Sequence, residues 1–182
     1  MARSGRWRDG GGVMLTQAIH AIDLFRSLVG VSEVVAAQAK TMGLHRTETK
    51  DYAAAMVRLG NGAPGTIIAT TAAYPGRPET ICIIGTDAVA RMAGGGLSIS
   101  RIDGVEEVVA DESDSAGGAR RAPNSLANWE PAPMAFRHDA HRDLISDFID
   151  AIEDEHDPVV TGEEALASQR LVDATPRKAR EP

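Results

Sequence analysis

Apolar and polar positions alternate with two different periods along the chain. Between residues 13 and 29, apolar side chains recur at intervals of three and four, the period of an amphipathic helix, and Gly30 ends it. From Ser32 to about Glu112 the chain consists of short runs rich in β-branched or alternating apolar residues, most of them separated by turn sequences such as Gly60-Asn61-Gly62. Short turns between successive strands favour an antiparallel meander. Strands are predicted at Glu33–Lys40, Asp51–Leu59, Gly65–Ala73, Glu79–Ile84, Ala88–Met92, Leu97–Ile102 and Val105–Ala110.

The second half of the chain contains a predicted loop and two predicted helices. Residues 111–135 are rich in Ser, Gly, Ala, Pro and Asn, which indicates a long loop. A helical period returns over Ala140–Glu153. The stretch Thr161-Gly162-Glu163-Glu164 is a capping box, in which the hydroxyl accepts from the N3 amide while the last carboxylate reaches back. This third helix is predicted to end near Asp173, before Pro176.

Together these elements predict an α+β fold. An open, largely antiparallel sheet would be covered on one face by about three helices. The predicted single domain covers residues 10–174, after a lead of residues 1–9 and before a disordered tail at 175–182.

Composition narrows the class of protein. The 182 residues are enough for one domain with a real core, and the aromatic share of 4% means that Ala, Val, Ile and Leu must build that core. A formal net charge of -7 argues against a nucleic-acid partner. The lone Cys82 lies in an apolar run and is predicted to be a buried small hydrophobe. No apolar run is long enough for a membrane span and no signal peptide is evident, so we expect a cytoplasmic protein.

A dinucleotide-binding motif is missing. Such a motif places a glycine-rich turn between a strand and a helix, so that backbone amides hold the pyrophosphate. Gly10-Gly11-Gly12 precedes a helix, but no strand comes before it, and Leu15 stands where the last glycine belongs. Gly94-Gly95-Gly96 leads into a strand-like run instead. We therefore predict no cofactor-binding residues and no nicotinamide cofactor bound by this chain alone.

The candidate chemistry lies on the first predicted helix. Thr16, His20 and Asp23 would share one face of a continuous helix, away from its apolar stripe, and a histidine can move a proton near neutral pH. Each residue also has a structural interpretation. His20 could be a solvated or hydrogen-bonded residue without a functional role. Thr16 could bond back to a helix carbonyl, and Asp23 could pair with Arg26.

The remaining histidines allow a metal site but do not require one. His138 and His141 have a spacing that permits shared metal ligation, yet no carboxylate-rich or cysteine pattern accompanies them. Polar residues at a helix N-terminus explain them as well. His45 and His156 lie in polar loops and are expected at the surface. No metal is predicted.

The stretch from Gly10 to Asp23 resembles the helix that begins the second domain of the Gfo/Idh/MocA oxidoreductases, the glucose–fructose oxidoreductase and inositol dehydrogenase family. The matching positions are Gly10–Gly12, Thr16, Ala18, His20 and Asp23. Further agreement comes from Ile84-Gly85-Thr86-Asp87-Ala88, Phe148-Ile149-Asp150-Ala151-Ile152 and Pro158-Val159-Val160-Thr161-Gly162-Glu163-Glu164-Ala165. The resemblance covers about residues 5 to 174.

This resemblance implies a substrate-side and oligomerisation domain with the fold of a glyceraldehyde-3-phosphate-dehydrogenase-like C-terminal domain. The full enzyme would oxidise a sugar, polyol or related hydroxy compound and pass hydride to NAD(P). His20 and Thr16 would be the catalytic residues, and Asp23, Gln17 and Gly12 would line the substrate site. A homodimer would form through the sheet.

Two departures from the family pattern change that expectation. Many members carry Asp at the position of Thr16, and a threonine supplies no carboxylate. This substitution looks like that of a recognised subgroup. The first domain, with its glycine fingerprint and the lysine of its Glu-Lys-Pro motif, is absent from this sequence. The chain alone is therefore expected to be inactive. The alternative is a non-catalytic self-associating module or a truncated gene product.

Overall fold

A computed structural model describes residues 11–42, 47–73, 78–94, 96–110 and 139–180. Over these residues the chain forms four helices and seven strands. The helices are α1 (Val13–Thr16), α2 (Ile19–Val29), α3 (Asp139–Glu153) and α4 (Gly162–Lys178). The strands are β1 (Val31–Lys40), β2 (Tyr52–Leu59), β3 (Pro64–Thr70), β4 (Thr80–Ile84), β5 (Ala88–Ala93), β6 (Gly96–Arg101) and β7 (Glu106–Ala110). The α+β class and the antiparallel pairing are confirmed. The predicted 111–135 loop lies outside the described residues.

The chain divides into two compact units, with breaks after residue 77 and after residue 159. In the first unit, β1, β2 and β3 form an antiparallel sheet in that order. Helices α1, α2 and α4 belong to the same unit, and α4 packs mainly on β1. No helix in the described ranges is long and apolar enough to cross a lipid bilayer.

Strand β2 shows how the sequence selects the covered face of this sheet. Ala53, Ala55 and Val57 are almost fully buried, whereas Met56 and Arg58 between and beyond them are exposed. Side chains on a strand alternate between the two faces, so this pattern leaves one face to the helices. The core also includes Val13, Met14, Ile22, Ala69, Leu171 and Val172. On the sheet side this core includes three alanines, Ala53, Ala55 and Ala69, and larger apolar side chains of the helices pack against them.

The middle of the opposite face of the three-stranded sheet is uncharged and open, and it is flanked by the Glu33–Arg58 ion pair and by Lys40. Met56 is 56% exposed and Ile68 is 70% exposed. Cross-strand partners join these residues into two rows, Ala36–Met56–Thr66 and Gln38–Ala54–Ile68. This surface, defined by those six residues, is called the outer sheet face below.

In the second unit, β4, β5, β6 and β7 form an antiparallel meander. The prediction that Cys82 is buried is wrong: the cysteine is exposed. The reason is strand parity, because Ile81 is 8% exposed and points to the opposite face from Cys82. An uninterrupted apolar run cannot reveal which of its members face inward.

Helix α3 belongs to the second unit and carries its apolar stripe at the surface. The stripe residues are each roughly half exposed: Leu144, Ile145, Phe148, Ile149 and Ile152. Ala151, by contrast, is 4% exposed. The predicted helix is therefore present. Its periodicity does not specify which surface, if any, covers the apolar stripe.

Helix α4 begins where the capping box predicts and ends later than predicted. The Thr161 hydroxyl accepts from the Glu164 amide at 3.3 Å. The expected end near Asp173 is wrong, because the helix continues through Pro176 to Lys178. A proline in the last turn removes a single backbone donor, and Ala179 restores the ladder by donating to the Thr175 carbonyl at 3.0 Å.

Candidate functional site

Gly12 fixes the point at which the first helix begins. Its φ of 89° and ψ of -173° lie in a region that essentially only glycine occupies. The next amide, that of Val13, donates to the Lys50 carbonyl at 2.8 Å. A Cβ on Gly12 would lie 2.8 Å from the same oxygen. The segment that carries the predicted site residues is therefore held against the backbone just before β2.

The predicted continuous helix over residues 13–29 is interrupted. Helix α1 ends at Thr16, Gln17 has a φ of -125°, and α2 starts at Ile19. The Ala18 amide bonds to the Val13 carbonyl, five residues back, at 3.0 Å, as in a π-type turn. Gln17 and Ala18 both favour helices, so the sequence carries no signal of this break. Thr16 and His20 consequently do not lie on one uninterrupted helix face.

Thr16 makes the hydrogen bond that its structural interpretation predicts. Its Oγ1 donates to the Gly12 carbonyl at 3.0 Å. The hydroxyl thus closes the four-residue helix on itself, while its oxygen retains lone pairs that can accept another hydrogen bond. Gln17, next to it, is exposed.

His20 lies in the first turn of α2 and is exposed. Ile22, two positions further, is 2% exposed and faces the core. Among the residues that the structure describes, none forms a hydrogen bond or an ion pair with the His20 ring. No described residue therefore prevents the two ring nitrogens from binding a ligand or water.

Asp23, one turn after His20 on α2, belongs to a polar network between two helices. The Ser168 hydroxyl of α4 donates to Asp23 Oδ1, and Arg26 Nη2 lies 3.6 Å from the same oxygen. Arg26 Nε in turn donates to Ser168 Oγ at 2.7 Å. Arg26 Nη2 also lies 2.5 Å from Glu164 Oε2 and donates to the Glu164 carbonyl at 3.2 Å.

This network ties α2 to α4, and Arg26 is its centre. The Arg26 side chain is only 15% exposed, whereas those of Asp23 and Glu164 are 55% and 59% exposed. The pairing of Asp23 with Arg26, predicted as the structural interpretation, is present. The capping box predicts that Glu164 reaches back to its own helix cap, and its carboxylate binds Arg26 instead, because a guanidinium offers a charged donor where the cap offers a neutral amide.

Metal-ligating groupings do not occur in the described part of the chain: no three His, Cys, Asp or Glu side chains converge there. His141 and His156 are exposed, and His156 Nδ1 lies 2.8 Å from the Asp157 carbonyl. His45 and His138 lie outside the described residues.

One open cavity of about 330 Å³ lies between β1 and α4, away from these residues. Its lining residues are Val34, Arg170, Asp173, Ala174, Arg177 and Lys178. No predicted site residue is among them, so the cavity gives no support to the site on α1 and α2.

Sequence reasoning missed the residues that hold the site from outside its own segment. The backbone carbonyl of Lys50 accepts a hydrogen bond from the Val13 amide, and the neighbouring Asp51 is 3% exposed. Both immediately precede an apolar strand, where polar residues are common, so their position alone carried no signal. Ser168 and Glu164 join the site through contacts between segments about 140 residues apart.

The chain has clear relatives among protein families and solved structures. A family model described as "Oxidoreductase family, C-terminal alpha/beta domain" matches residues 2–182. No curated protein matches the sequence. An oxidoreductase from Agrobacterium radiobacter, in complex with NAD+, L-tartaric acid and magnesium, is 18% identical with a TM-score of 0.70. The match covers 97% of this chain and 48% of that one.

Two further structures show the same relation. The WlbA dehydrogenase from Bordetella pertussis, in complex with NADH and UDP-GlcNAcA, is 28% identical over 97% of this chain and 46% of that one, with a TM-score of 0.67. A levoglucosan dehydrogenase in complex with NADH and L-sorbose is 21% identical over 98% of this chain and 51% of that one, with a TM-score of 0.69. This chain therefore spans about half the length of the structures it matches.

Proposed function

The chain belongs to the Gfo/Idh/MocA oxidoreductase family as its C-terminal alpha/beta domain, and from this premise we propose that it is the substrate-side half of an NAD(P)-dependent dehydrogenase. The substrate class would be a sugar, polyol or related hydroxy compound. The WlbA dehydrogenase and levoglucosan dehydrogenase structures, with their sugar ligands, support this class. Their nicotinamide ligands support the cofactor class of the complete enzyme.

One observation carries the proposal: an exposed His20 follows a helix start that is locked to the sheet at Gly12. Two features fix this start: the hydrogen bond from the Val13 amide to the Lys50 carbonyl at 2.8 Å, and the backbone conformation of Gly12, which essentially only glycine adopts. A histidine without a functional role does not require that the segment before it be fixed to the sheet. A proton-transfer group, by contrast, must be held in a defined place.

The chemistry assigned to His20 is proton transfer at the substrate hydroxyl. An alcohol that is oxidised to a carbonyl loses a hydride from carbon and a proton from oxygen. A nicotinamide supplies the hydride acceptor, and the described residues of this chain offer no glycine-rich strand-to-helix turn to hold one. The His20 imidazole takes the proton from the hydroxyl oxygen, as a general base. Thr16, Gln17, Asp23 and Gly12 would orient the substrate around it.

The test is an activity assay on the protein that joins this domain to a nucleotide-binding half. We expect NAD(P)H to form when hydroxy compounds of the sugar and polyol class are supplied, and calorimetry on the isolated domain to show no NAD(P) binding in the micromolar range. If the joined protein turns over no member of a broad panel, the non-catalytic alternative is favoured.

Self-association is the second part of the proposed function. Helices cover one face of the three-stranded sheet, and the outer sheet face exposes Met56 and Ile68 between flanking charged residues, the Glu33–Arg58 pair and Lys40. Exposed apolar patches of this kind mark interaction surfaces, and a two-fold interface is the commonest closed assembly. We therefore propose a homodimer through this face, burying at least about 1,000 Å².

Equilibrium sedimentation at micromolar concentration checks the dimer. We expect twice the 19.2 kDa chain mass, and a shift to monomer for Ile68→Asp, because a charge in the centre of an apolar interface loses its hydration. Leu166→Asp is the matched control, since Leu166 is an exposed leucine on α4 and lies off the outer sheet face. A monomeric parent domain, or equal dissociation by both variants, would contradict this interface.

A further inference from the structure

We propose that Asp51 is a positioning residue that holds the Gly12–His20 segment in place, a role that rests on the proposed function of His20. Asp51 is a buried carboxylate, 3% exposed, at the end of the sheet where α1 begins. Its Oδ1 accepts the Met42 amide at 2.6 Å. Its Oδ2 is buried and has no hydrogen-bond partner among the described residues.

Asp51 joins three strand ends. Through Oδ1 it holds the chain just after β1 at Met42. Its own backbone carbonyl accepts the Thr71 amide at 2.9 Å, just after β3. Since Asp51 itself lies immediately before β2, one residue links all three strands of the sheet at the same end.

The same residue controls the anchor of the first helix. The Lys50 carbonyl belongs to the peptide unit that joins Lys50 to Asp51, so the orientation of Asp51 sets the direction of that carbonyl. This oxygen accepts the Val13 amide at 2.8 Å and lies against Gly12. The Gly12 carbonyl then accepts the Thr16 hydroxyl. A contiguous series of hydrogen bonds and peptide units thus runs from Asp51 to the residues before His20.

The unpaired Oδ2 indicates that Asp51 is more than a packing residue. A buried polar atom without a partner lowers stability, because it loses its hydration and gains no hydrogen bond in return. An apolar side chain would avoid that cost, but it would also release the Met42 amide. Residues that lower stability in this way tend to cluster where a site must be held in one geometry.

The experiment compares Asp51→Ala with Asp51→Asn. Alanine removes the acceptor for the Met42 amide, whereas asparagine keeps an oxygen in the same place. In the isolated domain, hydrogen exchange of the Val13 amide should be at least about tenfold faster in Asp51→Ala and close to the parent value in Asp51→Asn. Asp103→Ala is the matched control, because Asp103 Oδ1 also accepts a backbone amide, that of Val105 at 3.1 Å, in the other unit.

The joined enzyme supplies the second readout. Asp51→Ala should lower kcat about 10- to 100-fold with little change in KM, because small displacements of a reacting group cost that much, and Asp51→Asn should restore the rate. Circular dichroism verifies that each variant is folded at the assay temperature. Unchanged Val13 exchange in Asp51→Ala, or an Asp51→Asn variant no better than Asp51→Ala, overturns the proposal.

The two proposals fail in different ways. If replacing His20 leaves turnover unchanged while Asp51→Ala still accelerates Val13 exchange, the assignment of His20 is wrong and the hold of Asp51 on the segment stands. If replacing His20 abolishes turnover while the hydrogen-exchange rate of the Val13 amide is the same in Asp51→Ala as in the parent, the positioning role is wrong and the proposed function stands.

Discussion

Replacing His20 with alanine is expected to lower kcat of the joined enzyme by a factor of about 10² to 10⁴, the usual contribution of a general acid or base. The hydroxyl proton of the substrate then lacks the general base that the proposed chemistry assigns to it. The fold should hold, because His20 is exposed and makes no hydrogen bond within the described residues. Steady-state assays at several pH values measure the effect.

The controls for His20 separate proton transfer from substrate orientation. His20→Asn keeps a hydrogen-bonding side chain without a basic ring nitrogen, so kcat should fall nearly as far as in the alanine variant, with KM closer to that of the parent. His141→Ala and His156→Ala remove exposed histidines elsewhere and should leave turnover unchanged. A His20→Ala enzyme with parental kcat would remove the basis for the proposed chemistry.

Gly12→Ala is expected to reduce the free energy of unfolding by about 3 kcal/mol or more. Two effects add up at this residue. The backbone conformation at φ 89° and ψ -173° excludes side chains, and the new Cβ would lie 2.8 Å from the Lys50 carbonyl oxygen. Relief requires breaking the Val13–Lys50 hydrogen bond, which detaches the start of α1. Urea unfolding monitored by circular dichroism measures the loss.

Alanine substitutions at two other glycines separate the effect of backbone strain from that of the close contact on the free energy of unfolding. Gly62 has a φ of 86°, but a Cβ at this position would have nothing within 4 Å, so Gly62→Ala should cost only the backbone strain, about 1 kcal/mol. Gly162, at the start of α4, has neither a positive φ nor a close neighbour, and Gly162→Ala should be neutral or slightly stabilising. If Gly12→Ala were no worse than Gly62→Ala, the close approach to Lys50 would not be tight in solution.

Local patterns predicted the elements of this fold well, and contacts between distant segments account for what they missed. Short runs of β-branched or alternating apolar residues, most of them bounded by turn sequences, located every strand of the described residues. The break at Gln17 and Ala18 could not be predicted, since both residues favour a helix and tertiary packing sets the turn.

The candidate site shows the same division. His20 and Gly12 could be proposed as site residues because a glycine start followed by a histidine forms a local pattern. The support from Asp51 and the Arg26–Glu164 ion pair depends on which segments meet in space. No spacing within one segment contains that information, so a single sequence can suggest a candidate side chain but not the residues that hold it.

The contact between α2 and α4 has a consequence for synthesis on the ribosome. Helix α4 completes the core that β1 to β3 begin, yet residues 71–161 separate it from β3. At typical elongation rates that stretch takes on the order of ten seconds to emerge, longer than most small sheets need to fold. During this interval the nascent sheet exposes the face that Leu171 and Val172 later cover. The unit that contains β4 to β7 is continuous in sequence and can fold first, whereas the other unit needs residues that lie before and after it in the chain.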